Sequence, residues 1–406
     1  MTPLIPSLIL GLGVLVILAL LLRWGLQSLS LPAIVGFLAM GVALAWINNR
    51  WTLFGHETES VLEFLGAIGV IVLLFRVGIE SDLHELLIQL PKAAMLWLPN
   101  MAFSGIPGYL VTRYFLDYGV IPSLFVAIAL TATSVGVSVA VWEETKKLKS
   151  KEGGLLLDTA ELDDISGVAL MALLFSVAPA LKTVYGPGTA TGNPDIGIEI
   201  AKVAGLFLLK LLIFVGLVLL CGKYLEQPLA HSAKKLGSQP TLLVLVLGLG
   251  LVIAGVAGLA GLSLPIGALF SGLLFSRHRQ SYGIEPSYQL VYAIFVPFFF
   301  INIGYKIDPS IIGGALGLGA VLVIVAIIGK IIGIAVTGWR YTGVAGILLI
   351  GVSMVPRAEI TMVVIERGHQ LGDWAVPDKL YAAMVLVSAV TCLGATVFLH
   401  WALRKK

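Results

Sequence analysis

The sequence is poor in charged residues. Only 12% of its 406 residues are Asp, Glu, Lys or Arg, whereas soluble domains carry about 25%. Apolar residues make up 58% of the chain, and its mean hydropathy is +1.00. In water, so much apolar sequence would leave large exposed patches. The composition therefore excludes an ordinary soluble protein and indicates a protein that folds in lipid.

The chain also lacks the motifs of most cofactor and nucleic-acid sites. Its two cysteines, Cys221 and Cys392, lie in apolar runs without metal-ligand spacing, which excludes a disulfide framework and favours two packed thiols. No basic cluster is interleaved with aromatic residues, so nothing indicates nucleic-acid binding. The glycines of residues 248–261 follow no strand and precede no Lys-Ser/Thr pair, so they are expected to pack helices. We expect no cofactor and no enzymatic activity.

The N-terminus lacks the basic region of a secretory signal, and its apolar run leads into Arg23 and not into a cleavage site, which predicts a retained first span. A spanning helix needs about 20 mostly apolar residues. Residues 255–265 would merge the eighth and ninth spans into one if they formed a kink, giving twelve. We predict thirteen spans: 4–22, 31–47, 60–78, 92–112, 120–142, 154–179, 199–220, 241–257, 263–276, 288–305, 313–339, 343–367 and 379–403.

Lysine and arginine are unevenly divided between the two sides of this arrangement. With thirteen spans, one set of alternate loops holds 16 of the 26 basic residues and the other set holds seven. The positive-inside rule places the richer set in the cytoplasm. We therefore expect a bacterial inner-membrane protein with its N-terminus outside and its C-terminus in the cytoplasm. We expect no soluble domain after the last span, so that regulation by a nucleotide would require another subunit.

An odd number of spans suits two inverted six-helix repeats, spans 1–6 and 8–13, joined by span 7. The fifth span of each repeat is interrupted, by Thr131-Ala-Thr-Ser-Val-Gly136 in one and by Ser353-Met-Val-Pro-Arg357 in the other. Paired breaks at matching positions are the best sequence indicator of a transporter's substrate site. The alternative is that both breaks are kinks in packed helices.

Hydroxyl groups in the first break are candidate ligands for a monovalent cation. Thr131, Thr133 and Ser134 can offer hydroxyl or freed carbonyl oxygens, and hard cations take oxygen ligands. Each hydroxyl can equally bond back to the preceding helical turn.

Charge inside a span is costly and by default marks function. The predicted spans contain three acidic and three basic candidates: Asp163, Asp164, Lys210, Lys330, Arg357 and Glu359. Arg357 and Glu359 most simply stabilise the second broken helix, although Glu359 can also attract cations. Lys210 has no evident partner, so a structural or lipid-facing role is favoured over transport.

Asp163 and Asp164 lie about 15 Å from the start of their helix, near the middle of the membrane. Their side chains point about 100° apart, so the two carboxylates need not have the same role. Asp158, Glu161 and Asp164 recur every three residues and would form a negative approach for cations from the cytoplasm. Alternatively, the helix begins later and these acids cap its first turn.

Lys330 is also expected near the middle of the membrane, too deep for its ammonium group to reach the interface. Its neighbours Gly329 and Gly333 allow another helix to approach closely. An aspartate of span 6 is the expected partner. Because burial disfavours both charges and pairing favours them, such a pair can trade a proton when a cation arrives.

Six segments together resemble the monovalent cation:proton antiporter-2 family, which includes NapA-type Na⁺/H⁺ antiporters and Kef-type potassium efflux proteins. They extend over most of the chain: Leu73-Leu-Phe-Arg-Val-Gly-Ile-Glu80, Thr131-Ala-Thr-Ser-Val-Gly136, Glu161-Leu-Asp-Asp-Ile-Ser-Gly167, Phe298-Phe-Phe-Ile-Asn-Ile-Gly-Tyr-Lys306, Gly329-Lys330 and Arg357-Ala-Glu359. The sequence departs from the family pattern at Arg76, where an apolar residue is usual, and at Ala358, where glycine is common.

The resemblance implies an all-α, NhaA-like antiporter fold of thirteen helices that forms a homodimer and moves like an elevator. It implies a dimerisation panel at 1–91 and 223–306, a linker helix at 181–222 and a core at 92–180 and 307–406. It further implies that Asp164 binds the ion or proton, that Asp163 pairs with Lys330, and that exchange is electrogenic with two protons per sodium ion.

The sequence therefore predicts a secondary transporter that exchanges Na⁺ or Li⁺ for H⁺. A K⁺/H⁺ antiporter is the nearest alternative, because ion selectivity depends on ligand geometry that the sequence does not reveal. A sodium-coupled solute symporter of the bile-acid type is less favoured, because it does not need twin aspartates with a buried lysine. Nothing in the sequence resembles the filter of a channel.

Overall fold

A computed structural model of the chain describes residues 4–52, 54–80, 83–185, 201–202, 205–218, 220, 239–276 and 284–404. These residues are helical apart from short turns, and they contain no strand. A short π-helical turn, Val111–Phe115, follows the fourth helix. In chain order the described helices are α1 Leu4–Ser28, α2 Ala33–Trp51, α3 His56–Glu80, α4 Leu83–Leu110, α5 Val120–Thr131, α6 Val135–Glu144, α7 Lys151–Tyr185, α8 Gly205–Val218, α9 Gln239–Leu259, α10 Leu264–Phe275, α11 Ile284–Tyr305, α12 Ile312–Gly338, α13 Val344–Ser353, α14 Glu359–Leu371 and α15 Asp378–Arg404.

The helices confirm the predicted polytopic, all-α fold. Each predicted span corresponds to one described helix, except that the fifth is made of α5 and α6 and the twelfth of α13 and α14. The predicted eighth and ninth spans stay separate as α9 and α10. Gly261 lies in the turn between them with a φ of 80°, a left-handed conformation that glycine adopts without strain.

Some predictions fall on residues outside the described ranges and stay predictions. They concern one of the two cysteines and several of the loop residues on which the predicted orientation rests: Cys221, Lys223, Lys234, Lys235, Arg277, Arg279, Lys405 and Lys406.

The described helices pack into two groups. In the first, called here the panel group, α3 packs against α10 and α11, α11 against α2, α9 against α10, and α1 against α2. In the second, the core group, α12 packs against α4, α13 and α15, α5 packs against α4, α7 and α14, and α6 packs against α15. Both broken helices belong to the core group, and a cavity separates part of it from the panel group.

Two close helix crossings inside the panel group support the predicted internal repeat. A Cβ atom on Gly41 of α2 would lie 2.8 Å from Cα of Gly304 in α11, and one on Gly78 of α3 would lie 2.9 Å from Cα of Gly272 in α10. Spans 2 and 10 therefore cross through a glycine pair, as do spans 9 and 3. In the predicted repeat, span 2 corresponds to span 9 and span 3 corresponds to span 10. The crossing of spans 2 and 10 therefore corresponds to the crossing of spans 9 and 3, as an inverted repeat requires.

Candidate functional site

Two broken helices meet in the middle of the core group. The helix α5 ends at Thr131 and α6 begins at Val135, while α13 ends at Ser353 and α14 begins at Glu359. The extended segments between them are joined by a hydrogen bond of 2.9 Å from the Ser134 N–H to the Pro356 carbonyl oxygen. Helix ends leave backbone N–H and C=O groups without intrahelical partners. The crossing therefore concentrates backbone donors and acceptors inside the core.

The Ser134 hydroxyl satisfies the donors at the start of α14. It accepts hydrogen bonds from the N–H groups of Ala358, at 2.6 Å, and of Glu359, at 2.9 Å. This is an N-cap supplied by another helix, since the hydroxyl group takes the place of a local capping residue. A hydroxyl oxygen has two lone pairs. The Thr133 hydroxyl accepts a hydrogen bond of 3.2 Å from Arg357 Nη1. Because two N–H groups use both lone pairs of the Ser134 hydroxyl, Ser134 is the poorer candidate ligand of the two.

Replacing Ser134 by alanine is expected to lower the unfolding temperature, because it leaves two buried N–H groups without their acceptor, at a cost of about 1–3 kcal/mol. Ser134→Thr, which keeps the hydroxyl group, is expected to restore much of the loss. Thermal unfolding in detergent measures both. Ser176→Ala is the control, because that hydroxyl makes an exposed hydrogen bond to the Leu173 carbonyl oxygen of its own helix. A raised KM for Na⁺ with no fall in unfolding temperature would instead identify the Ser134 hydroxyl as an ion ligand.

Arg357 stabilises the opposite ends of the broken helices. Its side chain is fully buried, and Nη1 donates to the carbonyl oxygens of Ala132, at 2.6 Å, and Met354, at 3.3 Å. These residues are the C-caps of α5 and α13. A cation is favourable at a helix C-terminus, where carbonyl groups lack partners. The geometry matches the simplest role expected for Arg357, which is to stabilise the second break.

Lys330 and Asp163 form a buried ion pair next to the end of α5. Lys330 Nζ lies 3.1 Å from Asp163 Oδ2 and 3.4 Å from Oδ1, and it donates to the Thr131 carbonyl oxygen at 2.7 Å. The exposed fractions of the two side chains are 0% and 1%. Gly329 permits this arrangement, because a Cβ there would lie 2.4 Å from the Phe103 carbonyl oxygen. Close packing of α12 on α4 therefore holds Lys330 in place.

Asp164, next to this pair in sequence, faces a different environment. It is half-buried and lines a cavity of about 850 Å³ between the panel and core groups. Glu161 and Glu359 line the same cavity, and so do Thr133 and Ser134. The described lining includes five carboxylates, two arginines and one histidine. A cleft with an excess of acidic groups attracts cations.

The structure thus divides the predicted site residues into two layers. Asp164, Thr133, Ser134, Glu161 and Glu359 line the cavity. The other predicted members lie outside its lining, namely Asp163, Lys330, Arg357 and Thr131.

Three other expectations are refined by the geometry. The Thr131 hydroxyl donates to the Ile128 carbonyl oxygen at 2.7 Å, so it bonds back to its own helix. Asp158 does not line the cavity, although Glu161 and Asp164 do. Lys210 lies outside the cavity lining, with Nζ 3.5 Å from the Ala260 carbonyl oxygen just after α9. That position fits the structural role favoured for Lys210.

Sequence reasoning missed several other charged residues that line the cavity. Glu144, at the end of α6, accepts a hydrogen bond of 3.0 Å from Arg404 Nη2, and its other carboxylate oxygen is 3.0 Å from His400 Nε2. Glu143, Glu144 and His400 line the cavity. All lie near the ends of predicted spans, where charged residues are common. Only the folded structure, which brings them close together, distinguishes them from other charged residues at span ends.

Arg76, the unusual residue of the third span, also lines the cavity. Its guanidinium group lies over the ring of Tyr292, 4.7 Å from the ring centroid. The stacking joins α3 to α11 within the panel group. The helix α3 continues past Arg76 to Glu80.

Comparisons with known proteins agree with the fold. The family model described as sodium/hydrogen exchanger, transmembrane, matches residues 14–405. The chain is 29% identical to the high-affinity Na⁺/H⁺ antiporter NhaS3 of Synechocystis sp., over 89% of this chain and 76% of the relative. It is 28% identical to a Na⁺/H⁺ antiporter of Enterococcus hirae, over 93% of this chain and 94% of the relative.

A solved structure shows the same fold. The sodium proton antiporter MjNhaP1 from Methanocaldococcus jannaschii superposes with a TM-score of 0.70, covering 99% of both chains at 14% sequence identity. The curated relatives are transporters and not enzymes, as the sequence predicts. Because the family model spans nearly the whole chain, this multi-pass membrane protein belongs to the sodium/hydrogen exchanger family.

Proposed function

We propose that this chain exchanges Na⁺ for H⁺ across a bacterial inner membrane, and that Asp164 carries the cation and the proton in turn. The observation that carries the proposal is the contrast between two adjacent aspartates. Asp164 lines an acidic cavity between two helix groups, whereas Asp163 is buried against Lys330. Only Asp164 of the two is accessible to an ion that enters the cavity.

Competition for one carboxylate explains coupled exchange. A carboxylate can hold a proton or help to coordinate a cation, but a protonated carboxyl group is a poor cation ligand. Other oxygen atoms that line the same cavity, including the Thr133 hydroxyl group, are proposed to complete the coordination of a hard monovalent ion. Since Na⁺ and H⁺ exclude each other at Asp164, binding of one releases the other. Each time the site moves across the membrane, Asp164 therefore carries only one of the two ions.

The buried pair offers a second proton. When Na⁺ occupies Asp164, its charge disfavours the Lys330 ammonium nearby, and Lys330 can release a proton. When Na⁺ leaves, Lys330 is protonated again and pairs with Asp163. Two protons would then cross for each sodium ion, and exchange would be electrogenic.

Alternating access is proposed to follow an elevator mechanism, in which the core group moves against the panel group. The cavity reaches Arg23 and Glu144, which lie on the side predicted to be cytoplasmic. The described conformation would then face inward. A homodimer through the panel group is also proposed, since α1 exposes large apolar side chains such as Ile9, Leu10 and Leu20 that need lipid or a second chain to cover them.

Ion flux in proteoliposomes tests the proposed function. Na⁺, Li⁺ and K⁺ are supplied separately at a set membrane voltage while the internal pH is recorded. We expect Na⁺ and Li⁺ to drive proton movement that depends on voltage. Flux with K⁺ alone would identify a K⁺/H⁺ antiporter, and a requirement for an organic solute would identify a symporter. Exchange that is independent of voltage would contradict the electrogenic mechanism.

A further inference from the structure

A second charged cluster lies at the opposite end of the helices that line the cavity. Lys306 directly follows α11 in the panel group, and Glu366 lies in α14 of the core group, about 10 Å along the helix from Glu359. Lys306 Nζ is 2.7 Å from Glu366 Oε1 and 3.1 Å from Glu63 Oε1. The Lys306–Glu366 ion pair therefore joins the two helix groups on the side away from the cavity.

The carboxylate of this pair is buried and fully hydrogen-bonded. The Glu366 side chain is 6% exposed, and it also accepts a hydrogen bond of 2.8 Å from Gln370 Nε2. The Tyr381 hydroxyl group lies 2.7 Å from Glu366 Oε2 and 2.9 Å from the Ile303 carbonyl oxygen in α11. Tyr381 is thus a second point at which the core group touches the panel group here.

Lys306 is held in its charged form. Burial acts to lower the pKa of Lys306, but the charges and hydrogen bonds of Glu366 and Glu63 outweigh it and raise the pKa above the ordinary value. A lysine with a raised pKa keeps its positive charge at neutral pH and loses it only when the pH rises through that value. The contact is therefore charged under the conditions in which exchange is assayed.

We propose that Lys306, Glu366 and Tyr381 close the ion pathway on the face opposite the cavity, and that this contact opens and re-forms in every exchange cycle. The proposal rests on the proposed function, because it needs the core group to move against the panel group. Removing one member of a buried ion pair leaves the other charge uncompensated. Loss of the contact would thus destabilise the conformation in which the site is open to the cavity and favour the conformation in which the site is open to the opposite face.

The same lysine provides a matched control. Its other partner, Glu63, lies in α3 of the panel group, so the Lys306–Glu63 pair joins two parts of one group. The side chain of Glu63 is 57% exposed, and surface ion pairs contribute little. Glu63→Gln should therefore leave the balance of conformations unchanged, whereas Glu366→Gln should shift it.

Cysteine labelling measures that balance. Ala140 is exposed and lines the cavity, so Ala140→Cys gives a thiol that a membrane-impermeant maleimide reaches from the cavity side. The parent chain, with its native cysteines, supplies the background. We expect Glu366→Gln to slow labelling of this cysteine several-fold, and the charge-swapped pair Lys306→Glu with Glu366→Lys to restore it in part. Tyr381→Phe should act in the same direction as Glu366→Gln but less strongly, and it keeps the buried ring if Glu366→Gln does not fold.

Equal labelling rates of Ala140→Cys alone and of Ala140→Cys combined with Glu366→Gln or with Tyr381→Phe would overturn the proposed closing contact, as would an equal effect of Glu63→Gln. Either result would leave the proposed exchange through Asp164 intact if the same proteins still exchange Na⁺ for H⁺. Persistent exchange by Asp164→Asn, by contrast, would overturn the proposed function regardless of the labelling.

Discussion

Replacing Asp164 by asparagine is expected to reduce Na⁺-driven proton movement in proteoliposomes to the level of protein-free vesicles. The amide has nearly the same shape as the carboxylate, but it neither takes up a proton nor supplies a negative charge to the cation. Because Asp164 is half-buried and lines the cavity, the substitution should leave the fold intact. The unfolding temperature of the variant in detergent checks that second expectation.

Glu161→Gln is the matched control for Asp164→Asn. Glu161 lies one turn earlier in α7 and lines the same cavity, so this change removes one negative charge from the same wall. If Glu161 only attracts cations, the variant keeps its maximal rate while the KM for Na⁺ rises modestly, since cleft charge raises the local concentration of cations. Exchange lost in Glu161→Gln and kept in Asp164→Asn would reverse the two assigned roles.

Replacing Lys330 by glutamine is expected to have the second-largest effect, and it should act on both stability and coupling. Lys330 and Asp163 are both almost fully buried, so the substitution leaves a carboxylate without its cation. Breaking a buried ion pair in this way costs about 3–5 kcal/mol. The double variant Asp163→Asn with Lys330→Gln should recover part of that loss, and thermal unfolding of the two single variants and the double variant measures the coupling.

The coupling effect of Lys330→Gln separates a proton carrier from a structural lysine. If Lys330 releases the second proton, the exchange that remains in Lys330→Gln moves one proton per sodium ion and no longer responds to membrane voltage. Its dependence on pH should also change, because one of the two titrating groups is gone. An unchanged pH profile together with unchanged voltage dependence would limit Lys330 to a structural role.

Much of the fold could be predicted because lipid imposes a simple rule on sequence. A span needs a long apolar run, and the interruptions at residues 131–136 and 353–357 stand out against such runs. The turn around Gly261 was harder, because hydropathy alone does not separate two short spans from one kinked span. The crossing of the two breaks follows from the repeat, since each repeat contributes one broken helix at the same position.

The roles of individual side chains at the site were less predictable. Thr131, Thr133 and Ser134 have similar chemistry and lie within four residues, yet one hydroxyl bonds back to its own helix while another caps a different helix. Which role each takes depends on how α5 and α14 cross, and one sequence does not state that angle. The sequence predicted Lys330 as a partner for span 6, but only the family resemblance distinguished Asp163 from Asp164.

The closing contact was missed for a related reason. Glu366 lies one residue before the end of the predicted twelfth span, and Lys306 lies just after the tenth. Charges at span ends normally face water or lipid headgroups, so neither residue appears unusual alone. Their pairing, at positions 60 residues apart in the sequence, appears only once the helices are packed.

Proton release on Na⁺ binding tests the central claim most directly. Na⁺ is added to the purified protein in weakly buffered detergent solution, and the released protons are titrated for the parent and for Asp164→Asn, with choline chloride as the salt control. If one carboxylate carries both ions, Na⁺ displaces protons from the parent and none from Asp164→Asn. Sodium binding without proton release by the parent, or equal release by both proteins, would contradict exchange through Asp164.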